Sequence, residues 1–100
     1  MDLRDHPRFE VNLPVAFWGN RVNGKETVTN LSAGGCAVKG DGRVQIGGSL
    51  ELNVDLPALY RTFVIEVGVV RWSIGTKFGV DFLQLDSEQE QQLRGFLKTL

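Results

Sequence analysis

The segment Ser49–Leu56, SLELNVDL, alternates strictly: Leu50, Leu52, Val54 and Leu56 fall on one side, Glu51, Asn53 and Asp55 on the other. Successive side chains of an extended strand point to opposite faces, so this pattern calls for a strand with one face on a core and one in water. A helix would scatter the same aliphatic residues around its circumference. A lone strand has nothing to pair with, and the chain must supply others. Lys77–Leu83 repeats the alternation, with Phe78, Val80 and Phe82 opposite Gly79 and Asp81. Arg61–Trp72 is a longer β-rich run in which Phe63, Ile65, Val67 and Val69 are expected to share a face, with Gly68 at a bend or a close backbone approach.

Earlier in the chain, Val11–Trp18 mixes β-branched and aromatic residues and stops at Gly19-Asn20, a pair suited to a turn. Pro14 lacks a backbone donor, which predicts an edge strand or a bulge there. Lys25–Leu31 follows a link containing Asn23-Gly24, and Cys36–Lys39 follows Gly34-Gly35, so these strands are expected to form consecutive hairpins. After Asp86 the period changes. Asp86 or Ser87 can cap a helix, Glu88 and Glu90 occupy the first turn where the helix dipole favours negative charge, and Leu93, Phe96, Leu97 and Leu100 recur at helical spacing. The expected architecture is all-β: a small antiparallel barrel over residues 11–100 closed by a helix at about 86–99, preceded by a polar arm over residues 1–10. A chain of 100 residues has room for one core and no more.

With 42% hydrophobic and 23% charged residues the composition is that of a packed domain. A formal net charge of -1 gives no global field to attract a nucleic acid polymer or an anionic membrane, so an anion would have to be caught locally. A single cysteine, Cys36, allows no internal disulfide, and with His6 as the one histidine no metal site is expected. Neither a leader peptide nor a membrane span is expected, and the reading is cytoplasmic. The carboxylates Glu51, Asp55, Glu66 and Asp81 fall on different strands with no histidine near them in sequence, so a catalytic function has no support.

Two short motifs bear on binding. Arg4 and Arg8 are separated by Asp5-His6-Pro7, and Pro7 biases His6 toward an extended backbone, which places both arginines on a loop or arm. Guanidinium groups are planar forks of donors that suit phosphate oxygens and the acceptor edge of guanine. The second motif is Asn30-Leu31-Ser32-Ala33-Gly34-Gly35: Asn30 can donate and accept at a base edge, Ser32 carries a hydroxyl, and Gly35 permits close backbone approach. Each motif alone also fits a plain reading, as solvated surface arginines and as a tight turn between strands. His6, between the arginines, can stack on a base or stand in solvent. Cys36 reads as a small buried side chain, and Trp72 beside Arg71 as a flat surface near a ligand or a tryptophan packed at the barrel end.

Taken together, R-x-x-x-R at Arg4 and Arg8, N-x-S-x-x-G at Asn30, Ser32 and Gly35, Gly47-Gly48 before an alternating strand, Val69-Val70-Arg71-Trp72 and Phe78-Gly79-Val80-Asp81-Phe82 resemble the PilZ domain family over almost the whole chain. The resemblance implies a six-stranded antiparallel β-barrel with a C-terminal helix that binds cyclic di-GMP without turning it over, with no further cofactor. By that resemblance Arg4 and Arg8 clamp phosphate and the guanine edge, Asn30 and Ser32 orient the ligand, and Gly35 contributes shape. His6, Gly34, Arg71 and Trp72 are the candidates for secondary contacts. Leu3 stands where many relatives have another arginine, which favours one nucleotide per chain. Removing Arg8 or Arg4 is expected to abolish binding, and Ser32→Ala to weaken it more mildly. A downstream protein would read the closed arm. The other readings are a ligand-independent adaptor of the same fold and a single-strand nucleic-acid barrel, the latter opposed by the neutral charge balance.

Overall fold

The computed structural model of the chain describes residues 7–19, 22–40 and 43–100. Six strands, β1 (Phe9–Gly19), β2 (Val22–Leu31), β3 (Gly35–Lys39), β4 (Ser49–Leu56), β5 (Arg61–Ile74) and β6 (Lys77–Gln84), precede one helix, α1 (Ser87–Leu97). They form a closed barrel in the order β1-β2-β3-β6-β5-β4, antiparallel throughout. The alternation of β4 decides its inside: Leu50, Leu52, Val54 and Leu56 are buried, and Glu51 and Asp55 are exposed. Leu13, Val15 and Phe17 of β1 and Phe78 and Val80 of β6 join them, and the rings of Phe17 and Phe78 meet edge to face at 5.5 Å. Burying a side chain such as Phe63, at 0% exposure, contributes about 1.5–3 kcal/mol.

Three details depart from the periodic expectation. First, Val67 and Val69 do not continue the inward face of Phe63 and Ile65. In the β4–β5 ladder Leu52 pairs with Ile65 but Leu50 with Gly68, so Glu66 and Val67 stand against Glu51 alone. This bulge shifts the phase by one residue, and the inward set resumes at Gly68 and Val70. A Cβ on Gly68 would lie 2.5 Å from Val80 Cγ1, so the barrel has no room for a side chain there. Second, Asn23-Gly24 is not a link: β2 starts at Val22, with Asn23 opposite Trp18 and Gly24 opposite Phe17. The Phe17 ring fills the space a Cβ on Gly24 would need, at 2.8 Å, so this glycine makes room for an aromatic and not for a turn. The expected turn residue Asn20 lies outside the described residues. Third, of the two readings for the strand of Pro14 the edge fails, since the barrel is closed, and the bulge holds: β1 has an irregularity between Glu10 and Leu13, and Pro14 sits next to it, one residue beyond the β1–β4 ladder.

The helix both covers the barrel and completes it. Asp86 is the N-cap, its Oδ1 accepting from the Gln89 amide at 2.8 Å, and Glu88 and Glu90 lie in the first turn. The side chain of the same Gln89 turns to the barrel, where its Oε1 accepts from the Val64 amide at 2.8 Å. Val64 lies in the half of β5 that β6 does not reach, because that ladder begins at Val67. Leu93 and Phe96 are buried in the core and Leu97 packs on it, but Leu100 is 51% exposed. The apolar stripe thus runs past the end of the barrel it covers.

Candidate functional site

Because the barrel is packed inside, any ligand surface lies on its outer face or ends. The outward residues of four neighbouring strands are in register: Asn30 of β2 opposite Ala37 of β3, Ala37 opposite Gly79 of β6, and Gly79 opposite Trp72 of β5. The two central positions are small, so the row is a shallow bay with an amide at one end and an indole at the other. The indole leans over the floor: a Cβ on Gly79 would fall 2.1 Å from Trp72 Nε1. Trp72 therefore packs on the sheet. Asn30 continues the row toward β1, where it faces Glu10. Its Oδ1 is shut off from solvent and accepts no hydrogen bond among the described residues.

The second row is built on the turn between β2 and β3. Ser32, 5% exposed, accepts through Oγ from the Gly34 amide at 3.2 Å and the Gly35 amide at 3.1 Å, and its hydroxyl donates to the Gly35 carbonyl at 3.3 Å. Its own amide donates to the same carbonyl at 2.9 Å. The hydroxyl expected to face a ligand is thus consumed within the turn. Gly34 passes its carbonyl to the Phe82 amide at 2.9 Å, tying the turn to β6. Gly35 pairs with Asp81, and a Cβ there would lie 2.6 Å from the Val80 carbonyl oxygen. The motif glycine is demanded by the approach of two backbones.

Arg71 Nε donates to Asp81 Oδ2 at 2.9 Å in a half-exposed pair, so this guanidinium is held at the β6 residue opposite Gly35. The sequence offers Asp81 only as an isolated carboxylate with no partner. Its outward position follows from the same Phe78–Phe82 alternation that puts Gly79 on the floor, but nothing local to β6 announces its partner on β5. Arg8, exposed and one residue ahead of β1, stands close enough to Cys36 for its charge to act on the thiol. Burial dominates there and pushes the Cys36 thiol up to about 12, the Arg8 charge opposing it. Asn30 and Trp72 thus share one row of the sheet, Gly35 lies opposite the Asp81 that holds Arg71, Ser32 and Gly34 form the adjoining turn, and Arg8 stands near Cys36. Arg4 and His6 lie outside the described residues. Among the described residues no cluster of three metal-ligating side chains exists, and no helix is long and apolar enough to cross a membrane.

The family model for the PilZ domain matches residues 2–99. The chain belongs to the PilZ domain family. Among solved structures, this PilZ chain is similar to the Bacillus subtilis inhibitor of motility MotI/DgrA, with a TM-score of 0.82, 27% identity and 99% of the chain covered. It spans only about half of that protein, 51%. The PilZ domain of CeSA from a cellulose-synthesizing bacterium superposes with a TM-score of 0.77 over 93% of this chain and 96% of that one. At 13% identity that likeness speaks to the fold alone. No curated protein matches the chain. PilZ domains are in general binding or adaptor modules, and their ligand is cyclic di-GMP.

Proposed function

We propose that the chain is a cyclic di-GMP receptor module, non-enzymatic, in which the N-terminal arginines close over a nucleotide held on the Asn30–Trp72 bay. The observation that carries this reading is the buried, unpartnered Oδ1 of Asn30 at the end of a floor of small residues. A buried acceptor without a donor costs about 1–3 kcal/mol, and turning the amide outward to meet the N–H groups on a guanine edge would remove that cost. The Trp72 indole, laid over Gly79, offers a base an aromatic edge or face, and Ala37 beside it raises no large side chain in the way. Arg8 and Arg4 supply charge-assisted bonds to phosphate and to guanine, with His6, Gly34 and Arg71 as flanking contacts. Ser32 and Gly35 act by holding the turn. Ordering the arm costs conformational entropy, which several charge-assisted bonds to a doubly charged ligand offset, so that ligand and arm order together. The closed arm then changes the surface offered to a protein partner.

The test is calorimetric titration with cyclic di-GMP, with GTP and cyclic di-AMP as controls. Saturable binding of the guanine cyclic dinucleotide alone is expected. Arg8→Ala should abolish it while leaving unfolding within about 0.5 kcal/mol of the parent, as for an exposed residue outside the core. No heat and no thermal stabilisation at high ligand would refute the receptor reading and leave an adaptor that works without nucleotide.

A further inference from the structure

The residues that flank the binding motifs line a second feature. Pro7 and Phe9 on either side of Arg8, Ala33 between Ser32 and Gly34, and Arg94, Leu97, Lys98 and Leu100 at the end of α1 enclose a groove of about 520 Å³. That volume lies within the range of roughly 300–1,000 Å³ usual for ligand-sized sites. Its floor is the surplus of the helix stripe: Leu97 and Phe9 are half-buried, and Leu100 keeps half its surface in water. Among the described residues that line it, the charges have one sign: Arg94 and Lys98 stand one turn apart, and no carboxylate side chain joins them. Arg94 Nε donates to Glu90 Oε1 at 3.1 Å, one turn back and outside the groove, while Lys98 makes no ion pair among the described residues.

We infer that this groove docks an acidic, leucine-bearing segment of a partner protein. Its aliphatic side chains seat on Phe9, Leu97 and Leu100, and its carboxylates meet Lys98 and Arg94. Charge complementarity selects such a segment over a neutral or basic one. The inference extends the receptor reading in one respect: two walls of the groove are shared with the nucleotide site. Pro7 and Phe9 are bonded to Arg8 on either side, so a backbone shift of Arg8 toward a ligand is carried into the groove wall, and Ala33 moves with the Ser32 turn. Ligand and partner are therefore coupled, and reciprocally. A ligand that pins Arg8 preorganises the wall and tightens docking.

The probes are three fluorescein-labelled peptides with the same leucines at helical spacing and glutamate, glutamine or lysine between them, read by fluorescence anisotropy on the whole chain. The glutamate peptide is expected to bind roughly tenfold tighter than the glutamine peptide, and the lysine peptide weakest. Lys98→Glu should move the preference toward the lysine peptide. Leu100→Ser, at an exposed position that does not threaten folding, should weaken all three alike. Saturating cyclic di-GMP should tighten the glutamate peptide roughly fivefold or more. Equal affinities, no binding of any peptide, or a preference untouched by Lys98→Glu would overturn the docking site. Charge-selective binding in a chain that gives no heat with cyclic di-GMP would uphold the groove and refute the nucleotide reading. Nucleotide binding without peptide binding would do the reverse.

Discussion

Ser32→Ala separates the two jobs a motif residue can have. The substitution deletes one hydroxyl that accepts from the amides of Gly34 and Gly35 and donates to the Gly35 carbonyl. The carbonyl keeps the Ser32 amide at 2.9 Å as a donor and loses little. The Gly34 amide is only part-buried, and water can replace its bond at a net cost of about 1 kcal/mol or less. The Gly35 amide is buried, and an orphaned buried donor costs about 1–3 kcal/mol. The sum is about 1–4 kcal/mol, a large share of the roughly 5–15 kcal/mol that holds an ordinary domain together. For a 100-residue domain, at about 4–8 °C per kcal/mol, that lowers Tm by at least roughly 4 °C and by up to roughly 30 °C.

Urea unfolding and calorimetry measure this directly, and amide hydrogen exchange at Gly35 gives a local readout. The amide should be protected in the parent and should exchange through local opening in the variant. A loss of less than about 0.5 kcal/mol, with the Gly35 amide still protected, would refute the assignment of the hydroxyl to the turn. Nucleotide binding should weaken in step with turn mobility, and Ser32→Thr, which keeps a hydroxyl, should recover part of both.

Gly35→Ala pushes a methyl to 2.6 Å from the Val80 carbonyl oxygen, and the β3–β6 ladder must part locally at a cost of about 1–3 kcal/mol, measurable by urea unfolding. Cys36 should resist alkylation in the native protein at pH 8 and react fully in urea, because burial holds its thiol protonated. With the folded thiol at about 12 against an ordinary value of 9.0, the unfolded chain releases its proton first as pH rises. The stability contributed by the neutral thiol is therefore complete below pH 9 and lost between pH 9 and 12, a loss that Cys36→Ala should not show.

The alternation of β4 and β6, the hairpin order and the capped helix were legible because each depends on residues adjacent in sequence. The phase of β5 was not. Val67 and Val69 continue the period of Phe63 and Ile65, and only the ladder with β4, which places two residues against Glu51, reveals the slip. Gly24 likewise looks like a turn glycine until Phe17 is placed opposite it. At the site, the sequence named the bay's two ends, Asn30 and Trp72, but not its floor. Ala37 and Gly79 matter for what they lack, and they become a floor only because non-adjacent strands bring them side by side.

The roles of Ser32 and Gly35 also change what the motif can prove. A barrel that had ceased to bind nucleotide would still need the hydroxyl for its turn and the glycine for the approach to Val80, so neither residue distinguishes a receptor from an adaptor. The distinguishing residues are those whose presence costs the empty protein something. Asn30 is one: its Oδ1 is buried without a donor among the described residues, a state that an aliphatic side chain of similar shape would relieve. Asn30→Leu should therefore raise stability without ligand by about 1 kcal/mol, or roughly 4–8 °C in Tm, while reducing cyclic di-GMP affinity. Opposite signs in the two assays mark a residue retained for binding at the expense of the fold. If Asn30→Leu destabilises the free protein as Ser32→Ala does, the amide belongs to the barrel's own structure, and the case for a receptor rests on Arg4 and Arg8 alone.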